Sequence, residues 1–280
     1  MRTRYSFSSR RTGNIENLRK QRKKYPSIAE KIVENSDIIL QVLDSRFPEE
    51  TRNPELEEEI EKKGKKLIYV FNKSDLVDKK KLKKFHYLNP RAIISCTAFQ
   101  NIKDLRDLIK RTAKKIEKPV DKDKLGKISV GVIGYPNTGK SSLINILIGK
   151  SSAGVGSDAG FTKSLQKLKL SDEINLIDSP GVIPQKEYSS SDSEKIAMHT
   201  KLGGRSYSQV KEAEMVVANL MRDYSKQIEK FYDIKAKGDS EILIEELGKR
   251  KGFFKSKGLI DEDKTARVVL KDWQKGNIKV

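Results

Sequence analysis

Eight consecutive residues, Gly134-Tyr135-Pro136-Asn137-Thr138-Gly139-Lys140-Ser141, place two glycines, a lysine and a hydroxyl at the spacing of a loop that wraps phosphates. Glycines let backbone amides approach phosphate oxygens, and a helix beginning at Lys140 adds the favourable end of its dipole. Lys140 is placed to hold the β- and γ-phosphates of a nucleoside triphosphate, and Ser141 to bind magnesium through its hydroxyl. Asn137, Thr138, Gly139 and Ser142 complete the expected nucleotide contacts. About forty residues downstream, Asp178-Ser179-Pro180-Gly181 supplies a magnesium-associated aspartate and a glycine able to sense the γ-phosphate, although the same four residues also make an ordinary turn. Thr162, the single threonine between Thr138 and Asp178, is the candidate for completing magnesium coordination, with a capped loop as the alternative. Lys140, Thr162 and Gly181 are the candidate catalytic residues.

A second constellation lies far upstream. Asn72-Lys73-Ser74-Asp75 follows the apolar residues Val70 and Phe71. A carboxylate at position 75 can accept hydrogen bonds from both the ring N–H and the exocyclic amine of guanine, and adenine offers no matching pair. Sites built around such a bond discriminate by a factor on the order of 10⁴. Asn72 would brace the loop, the stem of Lys73 would lie along the base, and the backbone at Ser95-Cys96-Thr97 would meet the guanine carbonyl. The lone Cys96 is then a small packed residue rather than a reactive thiol. Asp75 argues against an ATP-using kinase or ATPase.

The order of these motifs is unusual. In a Ras-like GTPase the phosphate loop comes first and the base-reading motifs last; here the sequence is reversed. The chain thus resembles the circularly permuted P-loop GTPases that assist assembly of the large ribosomal subunit. Asp44-Ser45-Arg46-Phe47-Pro48 and Arg52-Asn53-Pro54 look like that family's characteristic stretch after its first strand. The resemblance implies GTP and GDP as ligands, GTP hydrolysis, magnesium, and the large ribosomal subunit and its RNA as partners, with neither DNA nor a membrane and with a monomeric chain. Val182 stands where Ras-like proteins place a water-orienting glutamine, so intrinsic hydrolysis is expected to be slow. The family resemblance implies two substitutes, potassium bound with help from Asn137 and a group supplied by the ribosome. For Asn137 the alternative is simple loop hydrogen bonding.

These motifs need a scaffold. Strand-length apolar runs at Asp37 to Leu43, Lys66 to Phe71, Ala92 to Ser95, Lys127 to Ile133, Leu165 to Leu170 and Ile174 to Ile177 alternate with helical patterns at Leu56 to Lys63, Lys79 to Phe85, Asn101 to Ile116 and Lys140 to Ile148. That alternation predicts an α/β GTPase sheet in permuted strand order over residues 25–185, its halves joined by the charged connector Glu117 to Gly126. Strand signals stop after Ser189, where Ser191 and Glu194 have capping-box spacing, and residues 186–280 read as a small helical RNA-binding tail. Because the chain leaves the GTPase core just after Gly181, the nucleotide state is placed to bias the tail.

The 280 residues carry a net charge of +19, which favours polyanionic partners, although Lys-rich surfaces are also a general habit of heat-adapted proteins. Residues 1–24 hold nine Lys and Arg against Glu16 alone and read as a basic flexible arm, with the composition of a targeting presequence as the alternative. Lys249, Arg250, Lys251, Lys255 and Lys257 beside Phe253 and Phe254 are further candidates for RNA contact, with both phenylalanines expected in the core. His86 and His199 read as surface or packing histidines. No apolar run approaches the ~18 residues that span a bilayer, and one cysteine excludes an internal disulfide, pointing to a reducing compartment and to the cytoplasm. The alternative function is a constitutive RNA-binding protein with a structural nucleotide. Replacing Asp75→Asn should move binding preference from guanosine to xanthosine diphosphate; a guanosine preference that survives in a competition titration would remove Asp75 from the site.

Overall fold

Near-continuous apolar strands separated by helices call for a parallel sheet covered on both faces. The computed structural model describes residues 29–117, 127–149, 166–178 and 198–280 apart from 205, 209 and 211. Expectations for the basic arm, most of the connector, Thr162, Ser179 to Val182 and the Ser191 capping box lie outside those residues.

Six strands form one sheet: β1 (Ile38–Asp44), β2 (Lys66–Asn72), β3 (Arg91–Ile93), β4 (Ile128–Gly134), β5 (Gln166–Lys169) and β6 (Ile174–Asp178). Their order is β3-β2-β1-β4-β6-β5, parallel throughout except for β5, which runs antiparallel to β6 at the edge. The two halves of the chain meet where β1 pairs with β4, from Ile38 opposite Val130 to Val42 opposite Gly134. Every residue of β1 is buried, as a central strand requires. Strands from the upstream motif set therefore lie on one side of this seam and strands from the downstream set on the other. The carboxyl ends of β1, β2, β4 and β6, at Asp44, Asn72, Gly134 and Asp178, share one edge of the sheet, which is where open α/β sheets bind ligands.

Alternation along β1 divides the core. Leu40 and Val42 join Val130, Val132, Leu105, Ile109, Leu143 and Ile144 on the face covered by α3 (Ile102–Lys114) and α4 (Lys140–Ile148). Ile39 joins Ile133, Leu56 and Ile60 beneath α2 (Pro54–Lys62) and a helical segment at residues 29–35. The motif stretch after β1 supplies helix starts. Pro48 opens the short α1 (Pro48–Thr51), while Pro54 opens α2 behind Asn53, whose side chain accepts from the Leu56 amide. Arg52 bridges Glu49 and Glu57.

One expected helix takes a different form. Lys79–Phe85 is a 3₁₀ segment, not an α-helix. Leu82 and Phe85, three residues apart, are its buried anchors, and a 3₁₀ turn stacks such a pair on one side while five lysines stay exposed.

The tail consists of α5 (Ala213–Tyr232), α6 (Ser240–Lys251) and α7 (Glu262–Lys275). Asp239 and Asp261 cap α6 and α7 by accepting backbone amides, and glycines at 252 and 276 end them in left-handed conformation. The cluster among these helices includes Val217, Leu220, Leu243, Leu247, Leu270 and Trp273, and also takes in Phe47 and Tyr135 from the sheet domain. The Trp273 ring lies 4.9 Å from Tyr224, where α5 kinks, and 6.0 Å from Phe47, and its indole N–H donates to the Lys201 carbonyl at 3.0 Å. The tail is thus packed on the core through an aromatic residue with a satisfied donor. Trp273→Ala should lower unfolding free energy by about 3–5 kcal/mol, whereas Ile242→Ala on an exposed position of α6 should shift it by less than about 0.5 kcal/mol; chemical denaturation of the two variants checks the contrast.

Candidate nucleotide-binding site

The phosphate loop starts where β4 cannot carry a side chain. A Cβ at Gly134 would sit 2.4 Å from the Val42 carbonyl oxygen, so the strand ends against β1 with no space left. The loop turns through Asn137 (φ 60°) and Gly139 (φ 97°) into α4. Lys140, buried in the first turn, donates through Nζ to the carbonyls of Gly134 at 3.1 Å and Tyr135 at 2.9 Å, which holds its ammonium across the loop. The Thr138 hydroxyl donates to the Tyr135 carbonyl at 2.9 Å. Ser141 and Ser142 follow, half-buried, in the first turn of α4. A lysine ammonium inside a loop that leads into a helix N-terminus has the chemistry of an anion site.

The base-reading end is attached to that loop by one side chain. Asn72, 2% exposed at the end of β2, donates through Nδ2 to the Thr138 carbonyl at 2.8 Å and accepts through Oδ1 from the Cys96 amide at 3.1 Å. Three motifs separated by dozens of residues thereby meet at one amide group. The fit is close enough to dictate a neighbour: a Cβ at Gly139 would lie 2.2 Å from Asn72 Nδ2. Lys73 follows in left-handed conformation (φ 61°) and leads into a 3₁₀ turn, Ser74–Leu76, that presents Asp75. Asp75 Oδ1 is buried and has no hydrogen-bond partner among the described residues. Burying a carboxylate oxygen unpaired is costly, and two N–H donors on a guanine edge would offset that cost. That acceptor fits the donor edge of guanine.

Ser95 is fully buried and accepts the Ala98 amide at 2.9 Å, Cys96 is packed beside it, and Thr97 is exposed. Burial pushes the Cys96 thiol up to about 12, and the Asp75 charge adds to the effect. Asp178 closes β6, the strand beside β4, at the same sheet edge as Ser141; Thr162 and Gly181 lie outside the described residues.

The contacts made by several residues that the sequence had singled out depend on the fold. Asp44, at the end of β1, accepts Lys73 Nζ at 2.8 Å and a two-pronged contact from Arg46 at 2.8 and 3.0 Å. Burial alone would raise the Asp44 carboxyl, but the charges and hydrogen bonds of Arg46 and Lys73 hold it well below the ordinary carboxylate range. Asn137 Nδ2 donates to the Gly203 carbonyl at 2.7 Å, so part of its amide makes a loop hydrogen bond. His199 is indeed a packing histidine: it stacks on Tyr135 of the phosphate loop, their ring centroids 6.1 Å apart, and hydrogen-bonds to its hydroxyl. The expectation for the tail phenylalanines needs correction. Phe254 is 53% exposed, and Phe253 is half-buried beneath Lys264 Nζ at 4.2 Å, because both follow the end of α6 rather than sitting within a helix face.

Fold and site together define a P-loop domain in permuted order. The comparisons agree. A family model described as "50S ribosome-binding GTPase" matches residues 129–246. An uncharacterised GTP-binding protein of Methanocaldococcus jannaschii is 36% identical over 260 residues, covering 91% of this chain and 67% of that protein. Nucleolar GTP-binding protein 2 of Candida glabrata is 34% identical over 254 residues, covering 89% of this chain and 50% of the relative. Among solved structures, GNP-bound YlqF from T. maritima superposes with a TM-score of 0.62 at 18% identity, covering 91% of this chain and 94% of that one, a likeness of fold. The chain belongs to the circularly permuted P-loop GTPase family. It spans about two thirds of the archaeal relative and half of the fungal one.

The cytoplasmic expectation is overturned by the same comparison, since relatives carry the names nucleolar and nuclear GTP-binding protein. A single cysteine marks a reducing compartment, a property that nucleus and cytoplasm share, and so could not separate them.

The raised Cys96 thiol has a measurable consequence. At about pH 8.5 the folded chain should be alkylated about 10³-fold more slowly than the unfolded chain. Unfolding free energy should also fall as pH rises above about 8.5, because the unfolded thiol ionises there and the folded one only near 12. Equal alkylation rates in the two states would show that Cys96 is not packed as described.

Proposed function

We propose that the protein is a GTP-hydrolysing switch that assists assembly of the large ribosomal subunit. The observation that carries this is the Asn72 amide, which joins the phosphate loop to both base-reading segments next to a buried Asp75 oxygen that has no hydrogen-bond partner among the described residues. Lys140 holds the β- and γ-phosphates, and the amide of Gly181 senses the γ-phosphate. Ser141, Thr162 and Asp178 hold magnesium, which when bound neutralises charge on the phosphates. The Asn137 side chain, whose Nδ2 donates to the Gly203 carbonyl, helps hold potassium in place of the glutamine that Val182 replaces.

The division of labour follows the charge. Residues 25–185 form the nucleotide-binding domain, and the basic arm of residues 1–24 and the tail of residues 186–280 contact ribosomal RNA. Exposure of Phe254 near Lys251 and Lys255 supports a tail surface that combines phosphate contact with stacking on an unpaired base. The family model's own description, a 50S ribosome-binding GTPase, supports the ribosomal partner.

GTP turnover measured with and without purified large ribosomal subunits, in potassium and again in sodium, tests the proposal, with Lys140→Ala as the blank. Stimulation by the subunit is expected, with activity in potassium exceeding that in sodium. Tight GTP binding with no stimulation, together with RNA affinity indifferent to nucleotide, would instead make this an RNA-binding protein with a structural nucleotide.

A further inference from the structure

The Asp44-Ser45-Arg46-Phe47-Pro48 stretch is set apart by sequence, yet no nucleotide contact requires it. Its buried charges occupy a particular place. Asp44 Oδ1 accepts the Arg46 backbone amide and Nε, both at 3.0 Å, and Oδ2 accepts Arg46 Nη2 and Lys73 Nζ, both at 2.8 Å. The Arg46 side chain is 2% exposed, and its remaining terminal nitrogen, Nη1, donates at 2.9 Å to the carbonyl of Trp273 in the last turn of α7. The guanidinium carbon lies 5.3 Å from the Phe47 ring centre and 5.6 Å from that of Trp273. A cation at a helix carboxyl end, between two aromatic faces and bonded in a fork to a carboxylate, is held in one geometry.

The far end of the tail touches the same loop independently. The Val280 amide donates to the Leu76 carbonyl at 2.9 Å, and Gly276 lies so close that a Cβ there would meet Leu76 Cδ1 at 2.6 Å. Lys73 lies two residues before Asp75 and Leu76 directly after it. Both are tied to the tail, Lys73 indirectly through Asp44 and Arg46 and Leu76 directly.

We infer that Arg46, with the carboxyl-terminal turn of the tail, is a positioning element of the guanine site, so that base binding and tail docking stabilise each other. The inference rests on the assignment of Asp75 to guanine. By linkage, whatever affinity the docked tail gives to the base, the base returns to the docked tail. The effect needs no γ-phosphate, which separates it from any coupling that runs through Gly181 to residues 190 onward.

The test uses the full chain, with GDP affinity by titration and backbone hydrogen exchange over residues 273–280. In the unmodified chain, GDP and a non-hydrolysable GTP analogue should slow exchange there to the same extent. Arg46→Lys keeps a cation beside Asp44 but lacks the planar fork that also reaches Trp273. It should weaken GDP binding about tenfold and abolish the GDP-dependent protection at residues 273–280, while α6 exchanges as before. Deletion of Val280 removes the second contact and should weaken GDP binding in the same direction, which keeps the test decisive if Arg46→Lys does not fold. Wild-type GDP affinity in both variants, or tail exchange that GDP never changes in the unmodified chain, would overturn the positioning role. Equal affinity of the unmodified chain for GDP and ADP would instead remove the guanine assignment itself.

Discussion

A buried side-chain amide with two partners ties this molecule together. Asn72 Nδ2 must find an acceptor and Oδ1 a donor, because both atoms are out of water at the end of β2. The acceptor is the Thr138 carbonyl in the phosphate loop and the donor is the Cys96 amide in the loop after β3. Both can be in reach only if β2 and β4 stand two strand positions apart with β1 between them, which is the observed sheet order. The absence of a side chain at Gly139 follows from the same contact, since a methyl group there would overlap the asparagine. Strand order, loop composition and the relative placement of the two segments are all compatible with one satisfied amide.

Permutation changes how the chain is strung but not what the strands must do. The seam between β1 and β4 is parallel and almost wholly apolar, so it needs no covalent continuity to define its register. What permutation adds is a route for the tail. Trp273 packs on Phe47, which follows β1, while the segment at His199 to Gly203 lies on Tyr135 and Asn137 of the phosphate loop. The helical tail is thus in contact with both ends of the nucleotide site. Those contacts are short and polar around an aromatic centre, the kind of interface in which a small local shift changes which hydrogen bonds can be made.

Much of the site was legible because its chemistry is local. A phosphate loop needs glycines, a lysine and a hydroxyl at fixed offsets, and a guanine reader needs a carboxylate just after a buried strand, so spacing makes Lys140, Ser141 and Asp75 candidates. Where the outcome depends on packing across the chain, spacing failed. The 3₁₀ form of Lys79–Phe85 comes from anchoring Leu82 and Phe85 on one side, a demand of the core and not of seven residues that are mostly lysine. Phe254 lies exposed because α6 ends before it, although apolar character alone favours burial.

By itself the sequence determined the class of fold, the nucleotide chemistry and the permuted order, since each is written in short-range patterns of apolar residues, glycines and charges. Tertiary structure alone decided that Asn72 joins three motifs, that Arg46 links Asp44 to the Trp273 carbonyl, and that Val280 returns to Leu76. Those contacts span up to 227 positions, and hydrogen bonds to backbone atoms leave no mark in the identity of the residue that supplies the carbonyl or amide. Patterning can place a side chain on a buried face, but only the closed packing of sheet and tail selects which backbone group it will meet there.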